Sequence, residues 1–246
     1  MDHRAICWAQ TAQLVAQVQA IGDELGLPYI AAQADLADPN AMADENGLAY
    51  AHSTFRWFNP TREYWRDRKL ALTEPFLNAC RLVAEPMYFS EGRLHLGRPS
   101  QLLASIEYPQ VHETMETREA IIVPVHMPRS MLGAVVWCSA QPVNVAALFH
   151  EHAARMQYLA LQLIAAHNEA RGRPRNAQIP QRLTRREAQC LRWAAAGKTD
   201  SEIGIILDLS VSTVRFHLRN AASKLGATGR TQAIQLAAGL GFIGAV

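Results

Sequence analysis

Apolar positions recur at two different spacings along the chain, and the change of spacing marks its organisation. Leu14, Val18, Ile21 and Leu25 step by 4, 3 and 4, the stripe of an amphipathic first helix. Tyr29–Ala34 and Leu48–Phe55 are short predicted strands. Pro60–Leu72 and Pro75–Val83 are predicted helices, each with proline in its first turn, where the missing N–H costs nothing. Pro99–Thr117 is a weaker helical stretch, broken near Pro109. Ala120–His126 and Met131–Ser139 are rich in Val and Ile and flank Met127-Pro-Arg-Ser130, the pattern of a hairpin. Val143–Ala170 then reads as one long helix. Strands enclosed by helices at both ends predict an α/β/α sandwich around a mainly antiparallel sheet, within an α+β chain.

Arg171–Gln181 holds Gly172, Pro174 and Pro180 among basic and amide side chains, and reads as a linker. Beyond it the pattern becomes four short helices with their own start and stop signals. Thr184-Arg-Arg-Glu187 and Thr199-Asp-Ser-Glu202 are capping boxes, in which the Thr hydroxyl accepts an orphan backbone N–H and the Glu reaches back. Gly197 stops the first helix, and the second carries Ile203, Ile206 and Leu207 as its apolar residues. After the short turn Asp208-Leu-Ser210, Ser210 is a good cap for a third helix. Val211, Val214, Leu218, Ala221 and Leu225 form its predicted buried stripe, while Arg215, Phe216 and Arg219 lie off it. Gly226 ends that helix. Its fifteen residues make a rod of roughly 22 Å, of a diameter that suits a major groove about 12 Å wide. The domains are therefore 1–170, a linker at 171–181, and an all-α four-helix domain at 182–246.

Charge sharpens this picture. The whole chain carries a formal +2, but residues 171–246 hold twelve basic and four acidic side chains, a net of +8. Residues 1–170 hold twelve basic and eighteen acidic ones, a net of −6. A basic domain behind an acidic body fits double-stranded DNA as a partner. A membrane surface is a poorer partner, because the basic domain lacks a bulky apolar face opposite its charges. The uncharged run Ala5–Gly22 is interrupted by four glutamines, so no transmembrane helix is expected. No secretory signal is evident, and Cys7, Cys80, Cys138 and Cys190 are too far apart for a zinc finger, which suits free thiols in the cytoplasm. His150 and His152 point to different helix faces, so no metal site is expected there. No nucleophile–base arrangement or phosphate loop stands out, so neither an enzyme nor a cofactor is expected.

The second and third helices of the basic domain, joined by a tight turn and exposing arginines, describe a helix-turn-helix. Leu183-Thr-x-x-Glu187, Ala196-Gly197-Lys198, Glu202-Ile203, Ser210-x-x-Thr213-Val214-x-x-His217-Leu218, Lys224-Leu225-Gly226 and Arg230 together resemble the LuxR-type helix-turn-helix over residues 183–243. The resemblance implies a dimeric regulator of transcription whose fourth helix, about Arg230–Leu240, helps pair two such domains. It implies that Arg215, Phe216 and Arg219 face the bases, and that Thr213, Lys224 and Arg230 hold phosphates or fix the turn. The chemistry agrees: Arg bridges guanine O6 and N7, Phe touches a thymine methyl, and Lys is a point charge for phosphate.

The first 170 residues resemble the autoinducer-binding domain of quorum-sensing LuxR regulators, through Glu74-Pro75, Glu85-Pro-Met-Tyr-Phe89, Pro124-Val-His126 and Leu132-Gly133-Ala134. This implies a sensor and dimerisation domain that binds a small-molecule signal. The candidate ligand residues are Trp57, Thr61, Trp65, Glu74, Phe76, Phe89 and Val136. Several depart from the family's pattern. Glu74 replaces an Asp that accepts the amide of an acyl-homoserine lactone, Thr61 and Trp65 replace a Trp and a Tyr, Phe89 replaces a Trp, and Val136 replaces a hydroxyl. A pocket short of an indole N–H and a hydroxyl would leave ligand groups unmet, at roughly 1–3 kcal/mol each. The expected signal is thus a small apolar molecule other than an ordinary acyl-homoserine lactone, and the chain an orphan member. Two alternatives stay open. The aromatic residues can be plain core and Glu74 a surface charge at a helix start. The regulator can also be ligand-independent, with a degenerate sensor domain controlled by a partner protein.

Overall fold

The computed structural model describes residues 3–58, 63, 66, 72–104, 117–172 and 182–244. They group into two compact units, the body of the first ending at Gly172 and that of the second beginning at Arg173. Among the described residues no helix is long and apolar enough to cross a membrane.

In chain order the first unit comprises α1 (His3–Glu24), β1 (Tyr29–Gln33), α2 (Tyr50–Ser53), α3 (Pro75–Leu82), β2 (Met87–Ser90) and β3 (Arg93–Leu96). It continues with α4 (Gln101–Ala104), β4 (Glu119–Met127), β5 (Met131–Ser139) and α5 (Val145–Ala170). The sheet runs β1-β5-β4-β2-β3 with every pair antiparallel. Its pleat sorts alternate residues to opposite faces. Ile121, Val123, Val125, Val135 and Trp137 pack towards α1 and α5. Ala120, Ile122, Val136, Cys138, Met87 and Phe89 pack on the other face with Phe76, Ala79 and Cys80 of α3. This is the α/β/α sandwich that the periodicity predicts.

Side chains tie the layers together. The predicted stripe of α1 is buried and extends back to Cys7 and Thr11. The Trp137 indole donates to the Val18 carbonyl at 3.0 Å. His126, at the end of β4, places its Nε2 3.1 Å from the Cys80 carbonyl and 3.3 Å from that of Val83, which fixes the end of α3. His167 on α5 sits 3.0 Å from the Ala43 carbonyl and pins the loop between β1 and α2.

One expectation changes and one element is added. Leu48–Phe55 is not a strand: Tyr50–Ser53 form one helical turn, closed by the Thr54 and Phe55 amides donating to the Tyr50 carbonyl. That turn buries both Tyr50 and Phe55, which alternation along a strand would have put on opposite faces. The β2–β3 hairpin was not predicted at all. Of the predicted stretch Pro99–Thr117, Gln101–Ala104 is helix, and residues 105–116 lie outside the described residues. The predicted helix Pro60–Leu72 and the linker 171–181 fall almost wholly outside the described residues.

The second unit is α6 (Arg185–Ala195), α7 (Asp200–Leu207), α8 (Val211–Leu225) and α9 (Arg230–Gly239). Cys190, Leu191, Ile203, Val214, Leu218, Ala221 and Ala233 make its core. Both capping boxes form with the expected reciprocal bonds, Ser210 caps α8, and Gly226 ends it at φ 68°. The predicted stripe of α8 holds at Val214, Leu218 and Ala221, while Leu225 is half-buried. Val211 does not belong to it: at the first turn of α8 it is 36% exposed and lines a groove with Lys198, Arg215 and Arg230. Ile206 of α7 is likewise exposed, and Ile203 alone of its predicted apolar trio is fully buried.

Candidate nucleic-acid interface and candidate sensor face

The turn between α7 and α8 is built backbone against backbone. Asp208 leaves α7 in the left-handed region at φ 55°, and the Leu209 amide donates to the Gly204 carbonyl at 2.9 Å. A Cβ at Gly204 would lie 2.7 Å from the Leu209 carbonyl oxygen, so no larger residue fits without moving the turn. Ser210 Oγ then accepts the Thr213 amide at 3.1 Å and lies 2.7 Å from the Thr213 hydroxyl and 2.8 Å from that of Ser212. Thr213 is half-buried within this cap, in a position that fixes the turn.

The helix so aimed leaves Arg215, Phe216 and Arg219 exposed on its outer side, Phe216 by 53%. The Phe216 ring thus stands in solvent between two arginines. Three of the six predicted residues, Arg215, Lys224 and Arg230, are held by acids. Asp200, at the first turn of α7, bridges Arg215 Nε at 3.1 Å and Arg230 Nη1 at 2.5 Å, and Arg230 also donates to the Lys198 carbonyl at 2.5 Å. Lys224 Nζ lies 2.8 Å from Glu187 Oε2, a carboxylate that also accepts the Thr184 amide at 2.6 Å. Burial alone would push the Glu187 carboxyl up, but the Lys224 ammonium and Thr184 overcome it and hold the group below its ordinary value. Sequence reasoning missed Asp200 and Lys198 as organisers. Their only local signal is an acid and a base flanking Thr199, which reads as ordinary helix-start chemistry.

In the first unit, Phe76, Phe89 and Val136 are brought together on the α3 side of the sheet, with Trp57 packed half-buried against the same cluster. Phe76 and Phe89 meet edge to face, their ring centroids 5.1 Å apart. Glu74 is the residue before the first turn of α3, but its side chain makes no cap bond and is only 4% exposed. It is therefore not a surface charge at a helix start. The Cys138 thiol on the same face is pushed up to about 12 by burial, against a bond from Thr117 and with the Glu74 charge adding to the rise. Thr61 and Trp65 lie outside the described residues.

Residues 181–237 match the family model described as bacterial regulatory proteins, luxR family. The transcriptional activator protein VanR of Vibrio anguillarum is 56% identical over 61 residues, 25% of this chain and 25% of VanR. RpaR of Rhodopseudomonas palustris, an HTH-type quorum sensing-dependent transcriptional regulator, is 47% identical over 87 residues, 34% of this chain and 36% of RpaR. The chain thus matches only about a quarter to a third of the length of these relatives. The regulatory protein SdiA of Escherichia coli is 29% identical over 185 residues, 73% of this chain and 71% of SdiA, and its crystal structure superposes with a TM-score of 0.42. Residues 181–237 thus form a helix-turn-helix domain that matches the luxR family of bacterial regulatory proteins.

Proposed function

We propose that this protein is a sequence-specific DNA-binding transcriptional regulator of the LuxR type, acting as a cytoplasmic homodimer. The observation that carries the reading is the outer side of α8, where Arg215, Phe216 and Arg219 stand exposed on the second helix of a capped helix-turn-helix in a segment of net +8. Arg219 reads a guanine edge and Phe216 a thymine methyl, while Thr213, Lys224 and Arg230 keep the turn and the base-reading helix in place. The pairing surface lies on the α1–α5 layer, where Ile6, Tyr158 and Leu161 are exposed.

Control comes from a small apolar signal bound on the α3 side of the sheet. There Glu74 offers an acceptor on the face that Trp57, Phe76, Phe89 and Val136 share; Thr61 and Trp65 remain candidates from the sequence alone. The poor match to the lactone-binding pattern supports a ligand other than an ordinary acyl-homoserine lactone. The second reading, a ligand-independent regulator under a partner protein, is favoured by the full burial of Phe76 and Phe89 against each other.

The deciding experiment selects binding sites from random DNA with the full chain, then titrates the enriched site with wild type and Arg219→Ala. The variant loses roughly 1–3 kcal/mol and relaxes preference at one base position. Unchanged affinity and preference would remove α8 as the reading helix. Thermal-shift screening of wild type and Glu74→Gln against lactones and apolar phenolics separates the two modes of control. A compound that stabilises wild type and not the variant supports the sensor, whereas no response in either supports the partner.

A further inference from the structure

Where the start of α1 meets the end of α5, three donor side chains of unlike chemistry converge. His3 and Cys7 stand one turn apart on α1 and so share a face, and Glu169 comes from the last turn of α5. His3 Nε2 lies 2.9 Å from Glu169 Oε1 and 3.7 Å from Cys7 Sγ, and the three ligand atoms all fall within 4.8 Å of one another. One imidazole nitrogen thus meets both a carboxylate oxygen and a thiol sulfur, and the single proton or lone pair it offers serves only one of them. An exposed His–Glu ion pair explains the first contact but not why the thiol turns to the same nitrogen. A cation between them satisfies all three.

The separations suit a small metal ion. Zinc bonds of about 2.3 Å to sulfur and 2.0–2.2 Å to nitrogen and oxygen put tetrahedral donors roughly 3.3–3.7 Å apart. Rotations of the exposed His3 and Glu169 side chains supply the adjustment. The backbone beneath is already held, with Thr11 Oγ1 donating to the Cys7 carbonyl at 2.8 Å and Arg4 Nε to the Ala170 carbonyl at 3.3 Å. One sulfur, one imidazole and one carboxylate exclude magnesium and calcium, which take oxygen ligands, and select borderline-soft divalent ions.

We propose that His3, Cys7 and Glu169 form a binding site for a divalent transition-metal ion of the zinc and cobalt kind, with water as the fourth ligand. The ion fastens the first turn of α1 to the last turn of α5. Burial, then the Glu169 charge, holds the Cys7 thiol above its ordinary value, so binding displaces a proton and affinity rises with pH.

Cobalt(II) titration of the reduced full chain tests this, because a bound thiolate gives a charge-transfer absorption that nitrogen and oxygen ligands do not. The expected result is one cobalt per chain with that band, its loss in Cys7→Ser, and tenfold or weaker binding in His3→Gln and Glu169→Gln. Zinc raises the melting temperature of wild type and not of His3→Gln. Absence of the band in wild type, or its persistence in Cys7→Ser through Cys80, Cys138 or Cys190, overturns the site. His3 is exposed, so His3→Gln keeps the fold, and wild-type cobalt affinity in that variant overturns the site as well.

Discussion

Lys224 and Arg219 are both cations on α8, yet they answer to different partners. The Lys224 ammonium faces a carboxylate that is almost fully buried, whereas Arg219 faces solvent. Lys224→Ala strands a buried charge and is expected to destabilise the chain by roughly 1–3 kcal/mol, read as a lower melting temperature. The double variant Glu187→Gln with Lys224→Met recovers part of that loss, because no charge is left unpaired. A second residue-scale effect comes from His167. Burial holds its imidazole at about 4 against an ordinary 6.5, despite the opposing bond to the Ala43 carbonyl. The unfolded chain takes up this proton as pH falls through 6.5, and the folded chain does so only near 4. Stability is therefore full above 6.5 and drains between those values by on the order of 2–3 kcal/mol. His167→Gln keeps a donor for Ala43 and flattens that interval in denaturant titrations; an unchanged slope would exonerate the histidine. At this scale the exposed Arg215, Phe216 and Arg219 were legible because helical phase alone decides which side they occupy. The pairing of Lys224 with Glu187 was not, since it joins residues on different helices.

The helices of the second unit were legible as elements because each is bounded by local chemistry. Thr184 with Glu187, Thr199 with Glu202, Ser210, and Gly226 at positive φ all act within four residues of a helix end. The β2–β3 hairpin lacked such a signal. Its strands are four residues each and its turn is Glu91-Gly92 at φ 52° and 75°, with Glu where Asn or Asp would have announced it. Its stability comes from β4 and α3, which no local window contains. The same distinction governs Gly204, whose requirement arises only once Leu209 has folded back upon it. In an isolated helix Gly204→Ala would be stabilising by up to about 1 kcal/mol. Here it is expected to cost roughly 1–3 kcal/mol by forcing α7 and α8 apart. Thermal unfolding together with DNA binding would show it, and a gain in stability would mean that the turn has room after all.

For the molecule as a whole, the division of charge into an acidic body and a basic C-terminal segment was readable from composition. The candidate sensor face was readable only in outline. Phe76, Phe89, Val136 and Trp57 do meet, but a sheet assembled from distant segments brings them together, and Thr61 and Trp65 stand outside the described residues. Tyr158, 63% exposed on α5 one turn from the exposed Leu161, belongs to the scale of assembly. Tyr158→Glu is expected to shift sedimentation from dimer to monomer and to weaken operator binding at least tenfold, with the far-ultraviolet spectrum unchanged; a persistent dimer would move the pairing surface elsewhere. The Asp200 bridge acts at this scale too, through the salt in the surrounding solution. Arg215 and Arg230 carry a tethered counterion, one that cannot diffuse away when a phosphate arrives. Binding therefore frees fewer small cations from DNA than a count of arginines implies, and affinity declines less steeply as salt is added. Asp200→Asn steepens the log–log slope by about one unit and tightens binding in dilute buffer. If α8 reads DNA as proposed, Asp200 trades some grip on DNA at low salt for a more even grip when ionic strength fluctuates.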